Sequence, residues 1–301
     1  MKAKNAISQI TVPAPAKINL FLAVTGKRND GFHEINTVLA KLELSDRVIL
    51  EKTDKLDDIQ CVCTGKEILS GRNNLAYKAI EEWRNFTGDR TGMKVTIDKR
   101  IPTMAGLGGG SSDAVATLRA LNLYHGQHYT NEDLLGVAEK LGSDCPFFLY
   151  DGIGQGTGRG EKVRILSGSA LNEINGHRIF LFQPPIGFST QLMYKALAKN
   201  KSYSDPFIAK KIVEEWEAGK RSVSDFCGND FESVLFSKYL FLKPIFEELR
   251  NSFGLSFQVS GSGSSCFSLV SESVDEKPVR DFIYRSLGLG TRFWVSRIRL
   301  N

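Results

Sequence analysis

The sequence lacks most of the short patterns that mark metal, redox and common nucleotide sites. Its five cysteines, Cys61, Cys63, Cys145, Cys227 and Cys266, include no C-x-x-C pair, and an odd count is not a disulfide framework. The four histidines, His33, His125, His128 and His177, form no H-E-x-x-H and lie in no cluster with cysteine, so no zinc signature is present. There is no G-x-x-x-x-G-K-[ST] and no G-x-G-x-x-G, which disfavours a P-loop or dinucleotide-binding fold. The longest apolar run, residues 18–24, is broken by Asn19 and falls far short of a membrane span. Lys2 and Lys4 stand near the start without an apolar stretch beside them, so no secretory signal is expected. These absences predict a reduced, cytoplasmic protein with no membrane partner.

What is present is ordinary in bulk. The 301 residues are 42% hydrophobic and 24% charged, a globular composition long enough for two modest domains. Thirty-nine Lys and Arg against 34 Asp and Glu leave a charge of +5. That excess suits small anionic ligands and is too slight for a nucleic-acid sheath.

Periodicity organises the chain. Ile18, Leu20, Leu22 and Val24 alternate along a half-buried strand, which places Lys17 and Asn19 side by side on its other face. Further strands are predicted over 34–41, 47–52 and 93–97, and helices over 75–86, 111–123 and 131–141. Gly152 to Gly160 reads as a loop or irregular strand. Beyond about residue 166 a strand at 178–182 leads to helices near 189–199, 206–218, 230–236 and 241–251. Strands at 257–260 and 266–270, a helix at 275–287 and a strand at 292–298 follow. The pattern predicts an α+β chain of two domains, 1–165 and 166–301.

The glycine-rich stretch from Pro102 to Ser112 is the most informative. Gly106, Gly108, Gly109 and Gly110 permit a tight backbone approach to a ligand, and the stretch delivers Ser111 and Ser112 to the first turn of a helix. Free N–H groups there, with the positive end of the helix dipole, make an anion site. The two hydroxyls add donors for phosphate or a place near a metal ion.

Three separated stretches then agree: Pro15-Ala-Lys-Ile-Asn-Leu-Phe-Leu22, Pro102 to Ala114, and Val259-Ser-Gly-Ser-Gly-Ser-Ser-Cys-Phe267. In order and spacing they resemble the three motifs of the GHMP kinase superfamily, which includes galactokinase and the homoserine, mevalonate and phosphomevalonate kinases. Asp30-Gly31-Phe32-His33, Leu141-Gly-Ser-Asp-Cys-Pro-Phe-Phe148 and Asn229-Asp-Phe-Glu232 narrow the resemblance to one branch. Its members phosphorylate a cytidine-diphosphate sugar alcohol in the non-mevalonate route to isoprenoids.

The resemblance implies a two-domain GHMP kinase fold. Its N-terminal domain is of a kind shared with ribosomal and ribonuclease domains, and its C-terminal domain is a ferredoxin-like α/β sandwich. It also implies use of ATP with Mg2+. Asp144 matches the catalytic aspartate and Lys17 the catalytic lysine. Pro102, Ala105, Gly106, Leu107, Gly108, Gly109, Gly110, Ser111 and Ser112 match the phosphate loop, and Asn74, Leu75 and Lys99 the adenine side. Asn19, His33 and Thr190 match substrate contacts, with Phe32 and Tyr194 as the aromatic pair about the cytosine ring. Phe32 stands where Tyr is often found, which keeps stacking and removes a hydroxyl. Gly261, Ser262 and Gly263 bring a second small-residue turn to the glycine-rich loop or to substrate phosphates. No carboxylate is assigned to the metal; Ser111 or Ser112 could help to hold it. A monomer or weak dimer is expected.

Phosphoryl transfer to an alcohol needs positioning and charge stabilisation above all. An ionised Asp144 can take the hydroxyl proton, and an ammonium such as Lys17 keeps it ionised and steadies the developing charge. Asn229 with Glu232 reads as a helix N-terminal box, a structural device. Two rivals are weighed. One is a GHMP kinase for mevalonate or homoserine. The other is a non-catalytic RNA-binding protein of related fold, which would need a dense basic and aromatic surface where this chain offers no basic run longer than a pair such as Lys99-Arg100.

Overall fold

The computed structural model describes residues 9–64, 71–168, 170–200 and 202–300. Two long strands come first, β1 (Gln9–Lys27) and β2 (His33–Lys52), followed by β3 (Ile59–Thr64). Then come α1 (Leu75–Thr87), β4 (Met93–Asp98), α2 (Gly109–Tyr124), α3 (Asn131–Leu141) and α4 (Cys145–Leu149). The chain continues through β5 (Gly154–Gly158), β6 (Lys162–Ile165), α5 (Ala170–Ile174), β7 (Arg178–Gln183), α6 (Thr190–Asn200) and α7 (Pro206–Glu217). It ends with α8 (Val223–Phe226), β8 (Gly228–Asn229), α9 (Phe231–Lys238), α10 (Leu242–Phe253), β9 (Gln258–Val259), β10 (Cys266–Val270), α11 (Glu276–Leu287) and β11 (Arg292–Arg299).

The contacts divide this chain into two compact units, and not at a single cut near residue 165. One unit takes 9–16, 44–64, 71–103 and 108–150; the other takes 17–43, 104–107, 151–168, 170–200 and 202–300. The cut fails because β1 and β2 are long strands whose connecting ends pair with later strands. Residues 35–39 pair with β5, Leu42 with Ile298 of β11, and Phe21 with Gly228 of β8.

In the first unit, the end of β2 pairs antiparallel with β4, from Arg47 opposite Asp98 to Lys52 opposite Met93. β4 in turn pairs parallel with β3. Helix α1 starts at Asn74, whose Oδ1 accepts from Ala76 N at 2.8 Å, and stops at left-handed Gly88. Thr130 and Asp133 form a capping box at the start of α3. The small apolar residues of α2 bury most of its circumference, Ala114, Leu118, Ala120 and Leu121 completely, as its sequence pattern predicts.

In the second unit, β7 is the central strand of an antiparallel array. It lies between β10 and β11, with β9 beyond β10. Phe180, Phe182, Phe231, Phe246 and Phe257 fill the core with Leu22, Val24 and Ile35 from the first hairpin.

Several elements depart from the sequence expectation. The two strands expected over 34–41 and 47–52 are one continuous strand. The 17–24 segment is buried on both faces, Lys17 to 4% exposure and Asn19 to 3%, because its polar side chains are satisfied internally. β3 and α4 carry no strong periodicity and were not expected.

Candidate active site

The glycine-rich stretch divides between the units, so its two parts are anchored separately. In the first unit, α2 begins at Gly109 after Gly108, a left-handed residue (φ 66°) with no side chain to cap the helix. The first-turn N–H groups therefore have no side-chain cap, an arrangement suited to an anion. Ser112 is buried, and its hydroxyl has no hydrogen-bond partner. Leu75 borders this turn: a Cβ on Gly110 would lie 3.7 Å from its Cδ1. Asp144 stands at the N-cap of α4, half-buried. The next residue, Cys145, has its sulfur 3.9 Å from Ser111 O, and a Cβ on Gly142 would lie 3.9 Å from Ser111 Oγ. The Asp144 turn and the first turn of α2 are thus neighbours within one unit. Burial pushes the Cys145 thiol up to about 12, so it stays protonated and serves packing.

Lys99 has a role that its motif position does not suggest. Its ammonium is buried between Asp46 and Asp113, 2.8 Å from Asp113 Oδ2 and in direct contact with Asp46. Burial pulls Lys99 down, but the two carboxylates outweigh it and raise the ammonium. Burial above all, with Asp46 beside it, pushes Asp113 well up against the opposing pull of Lys99. Lys99 is therefore held charged within this cluster. Asp46 Oδ1 also accepts from Arg100 N at 2.5 Å and Ile101 N at 2.8 Å, which fixes the backbone leading to buried Pro102. Asn74, the other polar residue expected on the adenine side, caps α1 and donates to Cys63 Sγ at 3.2 Å.

In the second unit, Lys17 Nζ donates to Asn19 Oδ1 at 2.7 Å, and Asn19 Nδ2 to Thr37 Oγ1 at 2.8 Å. Thr37 Oγ1 donates onward to Phe21 O. The expected neighbourhood of Lys17 and Asn19 is realised with Asn19 holding the ammonium. Residues 104–107 are fastened here as well. Lys17 N donates to Leu107 O, Ser265 N to Ala105 O and Ser260 Oγ to Gly106 O, at 2.9, 3.0 and 3.0 Å. Gly106 (φ 76°) admits no side chain, since a Cβ would meet Ser260 O at 2.1 Å. The Gly261 turn closes on the same place: a Cβ there would stand 3.4 Å from Lys17 Nζ and 3.3 Å from Asn19 Oδ1.

The remaining substrate-side residues also lie in this unit. The His33 and Tyr194 rings stack at 4.5 Å, and Thr190 Oγ1 is 2.7 Å from Ser262 Oγ. Burial, then Lys27, holds His33 below the ordinary histidine range, so the ring is neutral at pH 7. Its Nε2 is buried without a partner. Phe32 is 51% exposed, with the Arg159 guanidinium 4.9 Å over its ring. Tyr194 thus stacks on His33, while Phe32 meets a cation, an arrangement the idea of a Phe32–Tyr194 pair did not anticipate.

Sequence reasoning missed Asp46, Asp113, Thr37 and Ser260. Asp113 lies inside the second motif and Ser260 inside the third, whereas Asp46 and Thr37 carry no local signal. Among the described residues, no three His, Cys, Asp or Glu side chains gather as a metal site, and no helix is long and apolar enough to cross a membrane.

Comparison with known proteins bears on this geometry. The family described as GHMP kinases N terminal domain matches residues 74–152, and GHMP kinases C terminal matches 208–288. The chain is 36% identical over 264 residues to a 4-diphosphocytidyl-2-C-methyl-D-erythritol kinase of Listeria innocua, covering 88% of each chain. It is 34% identical over 263 residues to the protein of that name in Bacillus cereus, covering 87% of this chain and 88% of the relative. A crystal structure of 4-(cytidine 5'-diphospho)-2C-methyl-D-erythritol kinase superposes with a TM-score of 0.74 at 31% identity, over 96% of this chain and 99% of that one. A homoserine kinase from Cytophaga hutchinsonii matches equally well in TM-score, 0.74, but at 18% identity, a likeness of fold alone.

Proposed function

From a chain that belongs to the GHMP kinases, and among them to the 4-diphosphocytidyl-2-C-methyl-D-erythritol kinases, we propose which residues perform the transfer. The enzyme moves the γ-phosphoryl group of ATP to a hydroxyl of 4-diphosphocytidyl-2-C-methyl-D-erythritol, in the non-mevalonate isoprenoid pathway. The acceptor is the 2-hydroxyl. The observation that carries the residue assignment is the uncapped glycine start of α2 beside the Asp144 turn.

The N–H groups of Gly109, Gly110 and Ser111, at the positive end of α2, hold phosphate oxygens of ATP. Asp144 accepts the proton of the 2-hydroxyl as that oxygen attacks the γ-phosphorus, and the bond from γ-phosphorus to the β–γ bridging oxygen breaks to release ADP. Lys17, aimed by Asn19, stabilises the charge on the transferred group. The unpartnered Ser112 hydroxyl fits a magnesium ion carried by ATP; such an ion supplies positive charge to the phosphates. His33, neutral and with Nε2 unpartnered, reads the cytosine edge, and Tyr194 backs it. Phe32 and Thr190 border the base. The first unit carries nucleotide binding and the proton acceptor, and the second the substrate contacts. No cysteine among the described residues is in a disulfide, which supports a reducing, cytoplasmic setting.

A coupled ADP-release assay tests this reading across the cytidyl alcohol, mevalonate and homoserine. Turnover confined to the cytidyl alcohol is expected, and equal or absent turnover would overturn the substrate assignment. Asp144→Asn is expected to lower kcat by about 10³-fold with ATP still bound. Near-normal turnover would remove Asp144 as the proton acceptor.

A further inference from the structure

Three polar residues at the start of α9, Asn229, Asp230 and Glu232, reach beyond their own helix. Asn229 Oδ1 does accept from Phe231 N at 2.9 Å, as a cap would, but its Nδ2 donates to Val259 O at 2.7 Å and Gly261 O at 2.8 Å. Glu232 Oε1 accepts from Val259 N at 2.9 Å rather than from the start of its own helix. Asp230 Oδ2 accepts from Val24 N at 2.7 Å, and its Oδ1 from Ser204 Oγ at 2.9 Å. The backbone agrees: β8 pairs parallel with β1 through Phe21 and Leu22, and Asp230 N donates to Leu22 O. One short segment therefore grips the strand that carries Lys17 and Asn19, and also the turn that carries Gly261. A helix box, as the sequence alone suggests, would do neither.

We propose that residues 228–232 are a positioning bracket for phosphoryl transfer, with Asn229 and Glu232 setting the 259–263 turn and Asp230 setting β1. Gly261 comes so close to Lys17 Nζ and Asn19 Oδ1 that a Cβ would fit only at 3.4 and 3.3 Å. The same turn is bonded to Gly106 through Ser260. A small slip of the turn thus moves the ammonium's surroundings and residues 104–107 together. These are positioning residues that act through Gly261 and Lys17, and their kinetic meaning rests on the function proposed above. Val259 N and O have their side-chain partners in Glu232 and Asn229, so the bracket holds the peptide groups on both sides of this buried residue.

Asn229→Asp is the discriminating variant. A carboxylate caps a helix as well as an amide does, but it cannot donate to Val259 O or Gly261 O. Turnover per folded molecule is expected to fall about 10- to 100-fold, with faster amide hydrogen exchange over residues 258–265. Glu232→Ala is expected to behave alike, and Glu232→Gln, which keeps an acceptor for Val259 N, to restore most of the loss. Wild-type kinetics and exchange in Asn229→Asp, or equal behaviour of Glu232→Ala and Glu232→Gln, would overturn the bracket. If Asn229→Asp does not fold, the Glu232 pair decides. Wild-type turnover tests the functional reading separately, and hydrogen exchange reads the bracket whatever the substrate proves to be.

Discussion

The Glu232 carboxyl is pushed up to about 7, chiefly by burial, with the Val259 N–H and the Arg250 charge pulling the other way. The Cys227 and Cys266 thiols lie in its field and are themselves raised, mainly by burial. Because the folded value exceeds the unfolded one, the folded chain binds the proton more tightly between about pH 4.5 and 7. Glu232 therefore costs nothing while protonated below that range. As pH rises through it, a penalty of about 3 kcal/mol accrues for burying the charge. Glu232→Gln removes the titration, so its stability relative to wild type is expected to rise by about that amount from pH 5 to 7.5. Urea melts of the two proteins across this range measure the difference, and parallel pH profiles would show that the carboxyl does not titrate there.

On the proposed function, helix α2 is built for a ligand at some cost to itself. Its neighbours α1 and α3 are capped by Asn74 and Thr130, whereas α2 starts at a left-handed glycine with nothing to offer its N–H groups. Ala at this position keeps the loop short but adopts the left-handed conformation at about 1–2 kcal/mol, which shifts the first turn. Gly108→Ala is expected to raise the KM for ATP about tenfold, with a smaller change in the KM for the cytidyl alcohol. Initial rates over both substrates decide it, and an unchanged ATP KM would detach the phosphate site from this turn.

Elements of this kind were legible in the sequence because their signals are local. The glycine order announced the start of α2, and a period of two placed Lys17 beside Asn19. The rest was illegible for an equally physical reason. Asp46 matters through backbone N–H groups at 100 and 101, and Asn229 through carbonyls at 259 and 261. Partners that distant leave no spacing to read. Asn229 and Glu232 read locally as a helix box, and Asn229 does cap, but the long-range bonds add a role that the local pattern does not show.

At the scale of the whole molecule, the chain threads each unit more than once. Binding is then best read as linkage to global stability. A ligand held only by the native chain at 100 times its Kd stabilises it by about 2.7 kcal/mol, which for a chain of this size raises Tm by about 5 °C. ATP with magnesium is expected to produce such a rise. Asp144→Asn should retain it, because the role proposed for the carboxylate is on the alcohol's proton and not on the nucleotide. Gly108→Ala should lose most of it. Differential scanning fluorimetry at matched ATP concentrations separates the three proteins. Loss of the shift in Asp144→Asn would move that residue from proton transfer to nucleotide binding, and no shift in the wild type would remove the nucleotide from the start of α2.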